Sequence, residues 1–473
     1  MQPQQCPGPV TRRSFLELGA SSICGLGLGG LLQAQAASAP AAKSFPDTSV
    51  IFVWLPGGPP HMEMYDMKPD APSDYRGVLS PIKTNVPGMD VCELFPLHAK
   101  CADKYNIIRS IAHEFADHGG GHKRFLTGRK PATPTGFVND APMVGSIAAK
   151  ALEGKRNAAG LPKYIGLIRA GRDQIDTFSF GAAYLGSQTH PFIVNKDPNG
   201  PDFKVDNIAL EPAMATRLDD RATLLSGFDK LRRDVDASGL VRSMDVFNQR
   251  ALSMMTSPQV RDAFDLSKEN EKVRDRYGRH PWGQRALLAR RLVEAGASWV
   301  TVEMENPYDG GVPWLKNGTY NWDSHAVNCH IFDDARVRFP LYDKVVTALV
   351  EDLHARGLNR RVLLVVTGEF GRTPRLNVQT GTQTGIGQPG RDHWPQAMSM
   401  LVSGGGMRTG QVIGATNSKG EHPVERAMTP NDLWATVFQH LGIDLDLSYP
   451  DLQGRPMPIL PFGEPIPELQ PVT

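Results

Sequence analysis

The 473-residue chain has little cysteine, with five in all, of which Cys6 and Cys24 lie near the N-terminus. The remaining Cys92, Cys101 and Cys329 are an odd set without C-x-x-C spacing. That excludes a disulfide-built scaffold and a cysteine-cage zinc site, although in an exported protein Cys92 and Cys101 are able to pair. Charge of one sign is lacking too: 51 Lys plus Arg against 50 Asp plus Glu leaves +1, which offers nothing to nucleic acid or to an acidic membrane surface. Long apolar runs are missing except for Leu18 to Leu32, which is short and glycine-rich and makes a poor bilayer span. No internal repeat is visible. What abounds is glycine (47) and proline (38) without periodicity, the mark of long structured loops.

Thr11-Arg12-Arg13-Ser14-Phe15-Leu16 precedes that apolar stretch, and Ala34-Gln35-Ala36 or Ala37-Ser38-Ala39 follows it with small residues. A basic pair, a moderately apolar segment and an A-x-A end read as an export leader over residues 1–36, and the adjacent arginines favour the twin-arginine route. The twin-arginine export machinery is then an expected partner. The expected destination is the periplasm or cell surface, with no stable membrane span after processing. That route carries folded proteins, so any metal would be loaded before export.

Residues 45–473 are long enough for one large α/β unit or for two or three domains. Ser49 to Leu55 (SVIFVWL) is a continuous apolar run closed by Pro56-Gly57-Gly58-Pro59, which fits a strand buried on both faces. Tyr105 to Ile111, Tyr164 to Ile168, Trp299 to Met304, Arg361 to Thr367 and Met398 to Ser403 repeat the theme. Between them, Tyr342, Val345, Leu349 and Leu353 share one helical face, and Trp282 to Ala297 and Asn431 to Leu441 also read as helices. The alternation predicts an α/β fold, a mostly parallel central sheet with helices on both faces. From about 155 to 281 the sequence turns polar, with helical stretches Arg217 to Asp236 and Val241 to Met255. It reads as a mainly helical insertion that packs beside the sheet or walls a cleft. Gly181 to Gly186 with His190-Pro191-Phe192 hints at a substrate-selecting cap.

Asp, Glu and His recur in clusters that follow the strand-like runs: His61 with Asp66, Asp117 with His118 and His122, Asp323 with His325, Glu369, and Asp392 with His393. Ligands gather beyond the carboxyl ends of the strands in such sheets, and mixed imidazole and carboxylate donors suit divalent ions such as zinc or manganese. His61, Asp66, Asp323, His325, Glu369, Asp392 and His393 are the expected metal ligands, for two ions. Glu303 and Glu305 are weaker candidates. His118 and His122 are the candidate catalytic residues, as acid, base or nucleophile, and for His118 a metal-ligand role is favoured over that of a nucleophile forming a phosphohistidine. Arg372 and Arg391 are candidates to hold an anionic oxygen by a planar fork, or are structural partners of nearby carboxylates.

Several segments carry a family resemblance. Phe125-Leu126-Thr127-Gly128-Arg129 resembles the end of the sulfatase signature, which puts His118 where the nucleophile stands and His122 where that family has an arginine. No Ser or Cys is there to become formylglycine. Asn321-Trp322-Asp323-Ser324-His325 resembles a metal segment of the alkaline phosphatase and sulfatase superfamily. In Thr367-Gly368-Glu369-Phe370-Gly371, Glu369 takes the place of an Asp ligand and Phe370 that of a His. Asp392-His393 looks like the later metal-binding segment. With Gly57-Gly58-Pro59, Glu369 to Pro374, Gly390 to Pro395 and Gly404-Gly405-Gly406, the chain resembles a group of exported bacterial proteins catalogued as a domain of unknown function and related to that superfamily.

The resemblance implies an alkaline phosphatase-like fold better than it implies a substrate. The expectation is an exported metal-dependent hydrolase of phosphate or sulfate esters, acting on an anionic small molecule or glycan. A non-catalytic metal-containing envelope binding protein on the same fold, and an isomerase or transferase of the phosphoglycerate mutase type, are the other readings.

Overall fold

Val, Ile, Phe and Trp crowd Ser49–Trp54 (β1), and all six of its residues are buried, as a strand covered on both faces must be. Its neighbours in the computed structural model are Trp299–Glu303 (β5) and Val362–Thr367 (β6), both parallel to it and both wholly buried. The described residues are 47–155, 160–170, 179–201, 203, 205 and 257–470. The leader expected over residues 1–36 lies outside them.

Among the described residues the sheet has eight strands. Tyr105–Ile111 (β2), Tyr164–Leu167 (β3), Phe192–Val194 (β4), Met398–Gly404 (β9) and Val412–Ile413 (β10) complete the order β10-β2-β9-β6-β1-β5-β3-β4. Every pairing is parallel except those of β9, which runs antiparallel to β2 and to β6. Gly371–Arg372 (β7) and His393–Trp394 (β8) form a separate two-stranded ladder that registers His393 against Arg372. The expected architecture, a large mostly parallel central sheet with helices, is the one observed.

Alternation along β1 divides the core. Ile51 and Val53 share a cluster with Ala286, Leu287 and Leu288 of helix Pro281–Glu294 and with Val345, Val346 and Leu349 of helix Ile331–Ala355. Phe52 and Trp54 point the other way, where Phe52 meets Trp434 edge-on at 5.5 Å and Trp54 lies 5.9 Å from Phe125. Those rings come from helices Pro430–His440 and His118–Thr127. In chain order the helices used below are α1 (His118–Thr127), α2 (Val144–Ala151), α3 (Pro281–Glu294), α4 (Ile331–Ala355) and α5 (Pro430–His440). The predicted stripe Tyr342, Val345, Leu349 and Leu353 is fully buried on α4. Truncating such a side chain typically costs about 2–5 kcal/mol.

The stretch expected as an insertion contributes β3 and β4, the strands at one edge of the sheet. The helical stretches Arg217 to Asp236 and Val241 to Met255 lie outside the described residues. Cys92, Cys101 and Cys329 are buried and unbonded, so the pairing left open for Cys92 and Cys101 is not formed, and burial pushes both thiols up to about 12. No described helix is long and apolar enough to cross a membrane.

Candidate metal centre

Chain direction decides what gathers beyond the sheet. At the carboxyl end of β1 stands Gly57, and two residues past the end of β6 stands Glu369. The chain leaving β2 enters α1 at His118, and the loop between β5 and α4 carries Asp323 and His325. Because β9 runs against its neighbours, the segment before it, with Asp392 and His393, arrives at the same end. Helix α1 starts there because the Asp117 carboxylate caps it, accepting from the amides of Gly119 (2.9 Å) and Gly120 (3.2 Å). One turn separates His118 and His122, which places both imidazoles on one face. Gly121 lets that helix approach, since a Cβ there would meet the Phe370 ring at 2.8 Å.

Two groups of donors result, each with its ligand atoms within 4.8 Å of one another: His118, His122 and Glu369, and His118, Asp323 and His393. His118 Nδ1 is 2.8 Å from Glu369 Oε1, and His122 Nε2 is 3.4 Å from the same oxygen. The Gly57 amide donates to both Glu369 oxygens, at 2.9 and 3.1 Å. Asp323 Oδ1 has Arg372 Nη2 at 2.8 Å, His325 Nε2 at 3.1 Å and His393 Nε2 at 3.3 Å. Asn328 donates to Asp323 Oδ2 at 3.0 Å, while His118 Nε2, 3.5 Å from that oxygen, makes no hydrogen bond among the described residues.

The donor chemistry fits a cation. His393 Nδ1 lies 2.6 Å from the Ala116 carbonyl, which only accepts, so the proton sits on Nδ1. His325 Nδ1 faces Asp392 Oδ1 at 2.6 Å and is fixed in the same way. A neutral ring would then aim its Nε2 lone pair at Asp323 Oδ1 in both cases. Two lone pairs set against one carboxylate oxygen are stable only with protons or a metal ion between them. A carboxylate or carbonyl behind each imidazole is also the usual support of a ligating histidine.

The members of the two groups also set one another's protonation. Burial works against protonation of His118, but the adjacent carboxylates of Asp323 and Glu369 outweigh it and raise its pKa to about 9. Burial likewise opposes ionisation of Glu369 and Asp323. The charge of His122 on the first and of Arg372 on the second, with the histidine hydrogen bonds, hold both well below the usual carboxylate range. Burial lowers His393, against the pull of Asp323.

The structure places four expected site residues where their polar atoms are already engaged by other groups. His61 is buried, with Nε2 3.0 Å from the Gly420 carbonyl and Nδ1 accepting from the Arg372 amide at 3.3 Å, so neither ring nitrogen is left for an ion. Asp66 is buried between Lys68 (2.9 Å), Arg109 (3.7 Å) and the Thr416 hydroxyl. Arg391 forks onto Glu63 at 2.6–3.0 Å and fills its remaining donors with the carbonyls of Tyr75, Thr373 and Pro374. Arg372 is equally closed in, bonded to Asp323 and to main-chain carbonyls, with nothing presented to an incoming anion.

The other expected residues are brought together, in different positions. Asp392 stands behind His325 and also accepts from Asn377 at 3.3 Å. His122 is 3% exposed, with its ring edge-on to Trp54 and Phe137, whereas the side chains of His118, His325 and His393 are 26, 22 and 19% exposed. Glu303 and Glu305 sit elsewhere with Arg169, whose amide donates to Glu303 at 2.6 Å and whose guanidinium is 3.7 Å from Glu305. The Gly57 amide, the Ala116 carbonyl and Asn328 went unforeseen, because a main-chain group leaves no signal in residue type and Asn328 stands in no recognisable spacing.

Among solved structures, a lipoteichoic acid synthase from Listeria monocytogenes aligns at 10% identity over 86% of this chain and 76% of its own, with a TM-score of 0.36. The phosphonate monoester hydrolase of Agrobacterium radiobacter aligns at 12% over 89% and 77%, TM-score 0.34. The C-terminal periplasmic domain of EcEptC from Escherichia coli, in complex with Zn, aligns at 12% over 86% and 87%, TM-score 0.32. Likeness at this level does not speak to activity. No curated protein matches the chain. Residues 47–469 match the family described as "Protein of unknown function (DUF1501)", and the chain belongs to that family.

Proposed function

We propose that this protein is a metal-dependent hydrolase of phosphate or sulfate esters or related anionic groups. The observation that carries this is the convergence of His118, His122, Glu369, Asp323 and His393 into two adjoining donor groups beyond the strand ends. As a neutral imidazole His118 serves one group only. One ion would then be held by His118, His122 and Glu369, and a second by Asp323 and His393 with the adjacent His325. Zinc and manganese match the mixed donors. Bound ions would supply positive charge to the ester oxygens and acidify water for attack.

The chain's own residues do the rest. The Gly57 amide orients Glu369, the Ala116 carbonyl fixes the tautomer of His393, and Asp392 does the same for His325. Trp54 and Phe137 pack against the His122 ring and Phe370 against that of His118, which walls the inner side. The partly exposed face of His118, His325 and His393 is where an anionic small molecule or glycan would enter. Export by the twin-arginine route to the periplasm or cell surface is part of this proposal and rests on Arg12-Arg13 and the small residues after Leu32.

The test is metal analysis followed by turnover of phosphate monoesters, phosphate diesters and sulfate esters. Two equivalents of zinc or manganese with turnover that stops on chelation are expected; absence of metal, or no turnover across that panel by metal-loaded protein, overturns the proposal. One observation favours the alternative, a non-catalytic metal-containing envelope protein. Phe370, fully buried, sets an apolar ring 4.6 Å from His393 and 5.4 Å from His118 where a further donor would otherwise fit. A single ion without turnover is its signature.

A further inference from the structure

Arg372 is a buried cation placed directly against a proposed ligand, yet no part of it is exposed to substrate. Five acceptors surround its guanidinium: the carbonyls of Gly57, Gly58 (2.8 Å), Trp322 (3.2 Å) and Arg391 (3.3 Å), and Asp323 Oδ1 at 2.8 Å. The same Gly57 whose carbonyl accepts from Arg372 gives its amide to both oxygens of Glu369. Residue 57 also packs on the Asp323 backbone so closely that a Cβ would fall 2.6 Å from the Asp323 nitrogen. The carboxylates of the two donor groups, 46 residues apart in sequence, are therefore referenced to one glycine.

We infer that Arg372 is a positioning residue that, through Gly57, holds Asp323 and Glu369 at one mutual geometry and so sets the metal affinity of both donor groups. A planar fork suits the task, because it fixes direction at several acceptors at once where an ammonium fixes only charge. Asp323 Oδ1 is the oxygen so restrained, which leaves Oδ2, on the His118 side, as the one turned toward the shared imidazole. This inference rests on the metal-centre reading above.

The experiment titrates metal-free full-length protein with zinc and with manganese against a competing chromogenic chelator, well below its melting temperature. Wild type is compared with Arg372→Lys, Arg372→Met and Arg290→Lys. Arg290 is as deeply buried and pairs with Asp352 at 2.9 Å, Glu294 at 2.8 Å and Glu269, all away from the donor groups, so its change reports the loss of buried ion pairing without disturbance of the centre. Arg372→Met is expected to bind metal about 10–100-fold more weakly, and Arg372→Lys to fall between it and wild type, while Arg290→Lys melts earlier with unchanged affinity. Should Arg372→Met fail to fold, Arg372→Lys decides. Wild-type affinity in the Arg372 variants overturns the inference and leaves the metal centre standing. Failure of wild type itself to take up either ion overturns the metal centre and this inference with it.

Discussion

The amide of Gly57 points at the carboxylate of Glu369, 312 residues further along the chain, and lies 2.9 and 3.1 Å from its two oxygens. That contact is possible because residue 57 sits at φ +114°, a region open to glycine and closed to most side chains. Gly57→Ala would place a methyl 2.6 Å from the Asp323 nitrogen and 2.8 Å from the Trp322 carbonyl carbon, both main chain and unable to give. The expected loss of stability is at least about 1–3 kcal/mol from the backbone alone. Weaker metal binding should accompany it. Calorimetric melting with and without zinc measures both, and a variant that melts and binds like wild type removes Gly57 from the account of the centre.

Metal and stability should be linked. An ion that binds the folded chain alone stabilises it by about 2.7 kcal/mol when its free concentration is about 100 times its dissociation constant. The melting temperature is expected to rise on adding zinc or manganese and to return on chelation. His118→Ala removes a donor of the group with His122 and Glu369, and Asp323→Asn one of the group with His393, so each should abolish part of that rise and the double variant most of it. A rise that survives undiminished in the double variant would show that the stabilising ion binds elsewhere.

Acid should destabilise the protein before its carboxylates titrate. Burial holds His61, His113 and His440 at a pKa of about 4, below the 6.5 of an exposed imidazole. Each is kept neutral by the fold and takes up a proton more readily when unfolded. Their contribution is fully present above pH 6.5 and is lost as the pH falls through about 4, on the order of 3 kcal/mol each across that window. His440 lies on α5, outside the donor groups, with Nε2 3.1 Å from the Ser49 carbonyl. His440→Gln, compared with wild type by urea unfolding from pH 7 to pH 4, should flatten the fall in stability. An unchanged slope would show that this imidazole is protonated in the folded state.

The strands and the donor residue types were legible in the sequence for physical reasons. β1 and β6 are covered on both faces, so each had to be a continuous apolar run, and the stripe of α4 had to repeat with the helical period. β4 was not legible: three residues at the edge of a sheet bury too little to leave a pattern, and it was absorbed into the expected insertion. At the site, residue type announced acid and imidazole but not which were already spent. Glu63, which neutralises Arg391, is 328 residues from it, and the Gly420 carbonyl that occupies His61 is 359 residues away. Such pairings are made by the fold alone. Arg391 beside Asp392 and His61 beyond β1 looked as available as His393 and His118 did.

The pair His325 and Asp392 separates orientation from stability most cleanly. Asp392 Oδ1 lies 2.6 Å from His325 Nδ1, the Asp392 side chain is 42% exposed, and Asn377 steadies its other oxygen at 3.3 Å. As a carboxylate it can only accept, so it commits the imidazole proton to Nδ1 and leaves Nε2 as a lone pair facing Asp323. In Asp392→Asn the amide is free to turn its NH2 toward Nδ1, which would move the ring proton to Nε2 and remove that lone pair. Little stability is at stake, since a half-exposed ion pair contributes about 0–1 kcal/mol. Metal affinity or turnover should nevertheless drop about 10–100-fold, as when other partners behind ligating histidines are lost. Titration with zinc, set beside thermal melting of the same variant, measures the two effects independently. A variant that melts early and binds zinc like wild type would make Asp392 a structural residue and His325 a bystander to the centre.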